Sequence, residues 1–277
     1  MRRQGGMNRW LAGGLALVCF ALLFVPGLFA PEHLAPPILD LAYAPPSQLP
    51  PLGGDSSGRP LLEYALQGAS VVALPALLAG LLVTALGIVG GLLGCDTSQR
   101  AEAVVQGLGE VVGALPRMVV VLVVALLVPK ESRSLLPIAL TWAVLSAPGA
   151  MDEANAVAAR LGGARFVEAL RAHGFSRWRI YLFHIIGLNL RPVVVRQGVE
   201  TVMQVVFLEI GLSYLAVQDT QPSLTHGDSE KSWADLLYLG YQVFLDVPSG
   251  HALALGLALV GVVALATVFV TSAVRAR

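Results

Sequence analysis

The chain is dominated by long apolar runs, and these fix its class before any motif is read. Six stretches are mostly hydrophobic over the roughly 20 residues that an α-helix needs to cross a hydrocarbon core. They are 10–30 ("WLAGGLALVCFALLFVPGLFA"), 69–94, 104–128, 134–151, 193–217 and 250–274. The fourth is short and bounded by prolines. Of the 277 residues, 56% are hydrophobic and 13% charged, and the mean hydropathy is +0.72. Soluble domains carry about a quarter charged residues, so the sequence predicts an all-α, polytopic membrane protein with six transmembrane helices. A formal net charge of zero argues against nucleic acid as a partner. Cys19 and Cys95 are the only cysteines and lie in or at the end of apolar runs, which gives neither a disulfide framework nor a metal site.

Basic residues orient the spans. With the N-terminus inside, thirteen arginines fall on the cytoplasmic side, among them Arg100, Arg160, Arg165, Arg171, Arg177 and Arg179. Only Arg59, Lys130, Arg133 and Lys231 fall outside. Both termini, 1–9 and 275–277, are therefore expected in the cytoplasm, with 31–68 as an external Pro-rich, semi-rigid loop and 69–274 as a five-helix core. The first run has a basic start and ends near Ala30, as a cleaved signal peptide does, but it is longer than a signal core; an uncleaved span is the better reading.

One segment does not fit a lipid-filling role. "FVEALRAHGFSRWRIYLFHI", residues 166–185, is amphipathic and rich in arginine. Read at helical spacing, Phe166, Leu170 and His173 share a face beside Val167 and Ala169, while Glu168 and Arg171 point elsewhere. Gly174 is placed to end the helix as a left-handed cap. Such a helix can lie in the lipid headgroup layer or plug into a groove on a cytoplasmic partner; the pattern alone does not decide.

Three motifs give a resemblance. "EALRAHG", residues 168–174, resembles the EAA loop of ABC-importer permeases through Glu168, Ala169 and Gly174. "PPLGGDSSGRPLLEYALQGASVVAL", residues 50–74, resembles the "LGTDxxGRD" signature before the second span of permeases of the dipeptide, oligopeptide and nickel importers; Gly53, Asp55, Gly58 and Arg59 match, and Pro60 replaces the later Asp. "LEIGLSYLAVQ", residues 208–218, resembles that branch's "EAALSFLGLG", and Trp233 in "SWADLL" stands for its following tryptophan after an insert. Pro116 stands where that branch has a proline opening the third span, whereas the branch's C-terminal "NLxGDxLRDxxDP" is absent.

The resemblance implies a type I importer permease fold in a bacterial inner membrane. Residues at about 165–175 become a coupling helix, in which Phe166, Glu168, Ala169, Leu170, Arg171, His173 and Gly174 meet an ATPase subunit. Phe166 and Leu170 then fill a cleft, and Glu168 and Arg171 bond its rim. The implied partners are a homologous second permease, two cytoplasmic ATPases and an external substrate-binding protein. ATP and magnesium belong to the ATPases; this chain has no GxxxxGK[ST] loop, binds no cofactor of its own and is not expected to be an enzyme.

Polar groups entering the apolar runs are candidates for a translocation pathway. The fifth run carries Arg196 and Glu200, spaced to pair, and Glu209, with no basic residue within a turn. Glu200, Met203 and Phe207 form one helical stripe, and with Glu209 they are the pathway candidates; a carboxylate satisfied by a neighbouring helix is the rival reading for Glu209. His33, His173, His184, His226 and His251 form no metal-binding spacing, which argues against nickel held by this chain. Glycines such as those in "GIVGGLLG" are read as close-packing positions. A self-contained secondary transporter is the alternative, though no internal repeat supports it. An intramembrane enzyme would need a completed GxSxG around Ser213, which is absent.

Overall fold

A computed structural model describes residues 9–30, 35–94, 99–129, 133–162, 165–176, 179–218, 224–225, 231–246 and 251–275. The helices are α1 (Arg9–Phe24), α2 (Leu61–Gly68), α3 (Leu74–Gly94), α4 (Gln99–Gly113), α5 (Arg117–Leu127), α6 (Leu135–Gly162), α7 (Arg165–Ala172), α8 (Arg191–Gln218), α9 (Trp233–Asp246) and α10 (His251–Arg275). A π-helical segment, Ala69–Ala73, joins α2 to α3 without a break, and a second, Ile180–Leu190, leads into α8. Among the described residues there is no β-strand, only an isolated bridge between Gly54 and Pro60. The protein is all-α and membrane-embedded.

The expected count of six spans is not reached by helix length and apolarity. Three described helical stretches are long and apolar enough to cross a membrane: Leu61–Leu93, Leu135–Gly162 and Leu253–Val274. Trp10–Leu23 and Arg117–Leu127 are apolar but short. The reasons are local. The first run leaves the α-helix after Phe24 and tightens into a 3₁₀ turn at Pro26–Phe29. The third run breaks at Ala114–Pro116, because Pro116 has no N–H to continue a helix and opens α5 instead. The fifth is long enough, yet Arg196, Glu200, Gln204 and Glu209 make it polar. Conversely, the helix entering the second run starts at Leu61, so the loop expected to reach residue 68 ends sooner.

α3 is the central post, packed between α6 and α8, while α10 covers α1, α8 and α9. Its glycines make this approach possible. A Cβ on Gly80 would lie 2.6 Å from the Gly198 carbonyl oxygen of α8, and one on Gly90 would lie 2.5 Å from Met151 Cα of α6. Small residues let transmembrane backbones come this close, so dispersion replaces the hydrophobic drive that lipid cannot supply. The packing role read for these glycines is what the structure shows. Val72, Val83, Val121, Ile138, Val205 and Leu236 fill the spaces between the helices.

Two polar clamps join α6 to α8. Glu153 accepts hydrogen bonds from Arg196 and Gln197, and Trp142 Nε1 donates to Gln204 Oε1 at 2.9 Å. The expected Arg196–Glu200 pair is present at 3.6 Å, but Glu153 is the closer partner.

Candidate functional site

The loop carrying Gly53, Asp55, Gly58 and Arg59 is a compact turn built around one carboxylate. Asp55 is buried; its Oδ1 accepts hydrogen bonds from the backbone N–H of Ser57 and of Arg59, each at 2.8 Å. Its other oxygen accepts the Tyr64 hydroxyl of α2, one helix away. Both glycines are required by conformation and by space. Gly53 has φ +88°, and a Cβ there would meet the Ala44 carbonyl oxygen at 2.7 Å. Gly58 has φ +74°, and its Cβ would lie 1.8 Å from the Ile38 carbonyl oxygen. These four motif residues therefore fix how the chain enters α2; the Leu61 N–H closes the turn on the Gly53 carbonyl at 3.0 Å.

Trp233 grips the same helix. It is buried, donates from Nε1 to the Ala65 carbonyl at 3.2 Å, and lies over Gly68, where a Cβ would come within 2.1 Å of its ring. Ser232 and Asp235 cap α9 reciprocally: the serine hydroxyl accepts from the Asp235 N–H, and the carboxylate accepts from the Ser232 N–H at 2.7 Å. Glu209 is fully buried and takes the Ser213 hydroxyl at 3.0 Å; that hydroxyl also lies 3.2 Å from the Thr225 hydroxyl.

α7 stands between the two longest helices, α6 and α8. It ends in a Schellman arrangement: Gly174 has φ +80°, its N–H bonds the Arg171 carbonyl, and the Phe175 N–H reaches the Leu170 carbonyl. Val167 is fully buried against Ala158 of α6 and Ile180 and Ile185 of the π segment, with Leu170, Phe175 and Tyr181 packed around them. Arg171 donates to the Tyr181 hydroxyl at 3.0 Å, His173 Nδ1 lies 2.7 Å from the Ala169 carbonyl, and Arg179 stacks over the Phe175 ring at 5.1 Å. Phe166, Glu168 and Ala169 are left exposed. The face read as shared by Phe166, Leu170 and His173 is thus divided: Leu170 turns inward to anchor the helix, and the other two face out. The anchor is Val167, which helical spacing places only beside the stripe, together with Phe175 and Tyr181 of the following segment.

On α8, Glu200, Gln204, Phe207, Gly211 and Tyr214 make a continuous exposed stripe, with Phe207 57% exposed. Met203 is half-buried beside it, and Glu209 lies on the opposite side of the helix. Glu200 and Phe207 are thus brought together, while Glu209 is kept apart from them. Gln197 and Trp142, which hold this helix, carry no sequence signal beyond a polar atom in an apolar run, and Glu153 lies just past the end of one. His226 and His33 lie outside the described residues; among the described residues no group of three His, Cys, Asp or Glu is placed to hold a metal ion.

No protein-family model matches the chain. Over 219 residues it is 26% identical to a probable D,D-dipeptide transport system permease protein, DdpC, of Escherichia coli (strain K12). The match covers 77% of this chain and 70% of that protein. The resemblance read from the motifs is thereby borne out across most of the sequence.

Proposed function

From the premise that the chain resembles permeases of the dipeptide and oligopeptide importers, we propose that it is the membrane-spanning permease subunit of an ATP-driven importer. It forms half of a translocation pathway for peptides or a similar small solute; a relative named for D,D-dipeptides favours peptides over nickel or a metal chelate. The subunit sits in a bacterial inner membrane with both termini in the cytoplasm. It pairs with a homologous permease, two ATPases that hold ATP and magnesium, and an external substrate-binding protein.

The observation that carries this reading is α7, a short helix whose inner face is anchored and whose outer face is open. Phe166, Glu168 and Ala169 are the surface offered to an ATPase, with His173 and Arg171 at its rim. Val167 and Leu170 tie that surface to α6 and to the segment leading into α8. When two ATPases close around ATP, displacement of α7 passes as a rigid-body movement into both long helices and changes their tilt. The exposed stripe of Glu200, Gln204 and Phe207, with Met203 beside it, then lines the path between the two permeases. Glu209, buried on the opposite side of α8 and bonded by the Ser213 hydroxyl of the same helix, faces the helix packing instead of the solute.

The test is purification of the full chain from its native membrane in mild detergent. ATPase subunits and nucleotide hydrolysis are expected to accompany the wild type and to be lost with Phe166→Asp, while the melting temperature stays. A wild-type chain that purifies without any ATPase overturns the proposal, as does a Phe166→Asp chain that keeps it.

A further inference from the structure

The break between α4 and α5 leaves an open-sided hollow of about 390 Å³, lined by Gln106 and Glu110 of α4, Arg117 of α5, and Leu145, Pro148 and Asp152 of α6. The backbone explains why space opens there. α4 stops at Gly113 and α5 starts only at Arg117, so no helical turn fills the corner. Across from it Pro148 lies inside α6, where its ring cannot donate to the preceding turn and pushes that turn away.

The lining carries both signs of charge. Arg117 is the cation, Glu110 and Asp152 are the anions, and all three are exposed to the hollow's opening. Among the described residues no ion pair joins Arg117 to either carboxylate. Apart from Gln106, the rest of the lining is small or apolar: Val112, Leu145, Pro148 and three glycines. Charged groups in such a wall are costly unless they face water or a partner, and they are functional candidates by default. The volume falls within the range of small-molecule sites, about 300–1,000 Å³. A simple anion would meet only Arg117, and a simple cation only the carboxylates. A solute bearing both an ammonium and a carboxylate engages both signs at once.

We propose that this hollow is a binding station for a zwitterionic solute of dipeptide size, its ammonium held by Glu110 and Asp152 and its carboxylate by Arg117. Hydrogen bonds to charged groups are the strong ones, and the fork of an arginine suits a carboxylate bidentately. The solute class rests on the importer reading above, but the hollow is independent of α7.

Gly149 also lines the hollow, and a Cβ there meets nothing within 4 Å, so it accepts a cysteine without strain. The full chain carrying Gly149→Cys, with Cys19→Ser and Cys95→Ser, is placed in lipid nanodiscs and labelled with a charged, water-soluble methanethiosulfonate. At about ten times its dissociation constant, Ala–Ala is expected to slow labelling about tenfold, as mass action requires of a blocked site. The same dipeptide capped at both ends gives no protection, and Arg117→Gln or Glu110→Gln abolishes it at the same concentration while leaving unprotected labelling unchanged. A cysteine that does not label, equal protection by the capped dipeptide, or no protection up to the solubility limit overturns the inference. Co-purification of ATPase subunits, read in parallel, separates this failure from that of the importer reading: ATPases present without protection sink the station alone, and protection without ATPases sinks the importer alone.

Discussion

Gly58 and Gly174 share a backbone conformation but not a neighbourhood, which makes their replacement by alanine an internal control. Both sit at φ between +74° and +80°. The left-handed region costs an ordinary residue about 1–2 kcal/mol, and this penalty is common to Gly58→Ala and Gly174→Ala. At Gly174 nothing lies within 4 Å of the added Cβ, so the backbone penalty is the whole cost. At Gly58 the Cβ would lie 1.8 Å from the Ile38 carbonyl oxygen, against about 3 Å for a tolerable contact. The obstacle is backbone, so the segment must move by more than 1 Å. That movement breaks the Ile38 N–H bond to the Ser57 carbonyl, now 3.0 Å, and disturbs the Asp55 turn beneath it. One hydrogen bond is worth about 1 kcal/mol net, and loss of part of the Asp55 set adds a similar amount. Gly58→Ala is therefore expected to cost about 3–4 kcal/mol and Gly174→Ala about 1–2 kcal/mol. At about 2–4 °C per kcal/mol for a large chain, thermal unfolding in detergent followed by tryptophan fluorescence separates them by several degrees. Equal shifts would mean that Ile38 does not confine Gly58.

On α7, Val167→Ala is expected to lower stability by about 1–2 kcal/mol through lost burial, whereas Phe166→Ala, at a side chain 39% exposed, costs less; thermal unfolding in detergent compares the two. Glu153→Gln weakens the clamp on Arg196 and Gln197 and is expected to cost about 1–3 kcal/mol, since hydrogen bonds to a charged partner are lost; the check is again the unfolding midpoint.

Much of this architecture was legible in the sequence, and the misses have physical causes. Apolar runs announce membrane helices, because only composition and length matter to lipid. They do not announce where a helix breaks: Pro26 and Pro116 interrupt two runs that read as continuous. The glycines of "GIVGGLLG" read as close-packing positions, but their partners on α6 and α8 are far away in the chain and are not named by the pattern. The turn motif was recognised by pattern, yet its function of holding α2 through Tyr64 required coordinates. The helix and cap at 165–174 followed from periodicity and one glycine, while the inward turn of Leu170 depends on Ile180 and Ile185, which a helical wheel of α7 does not contain. Glu110 and Arg117 are seven residues apart, but Asp152 is distant in sequence and joins them around the hollow only because α6 packs against α4 and α5.

The central claim is that α7 presents its outer face to an ATPase. A photo-reactive phenylalanine analogue placed at Phe166 in cells, with the same analogue at the exposed Val268 of α10 as control, tests it directly. A covalent adduct with an ATPase subunit is expected from position 166 and none from 268. Absence of an adduct at 166, or one of equal yield at 268, would mean that α7 does not face an ATPase.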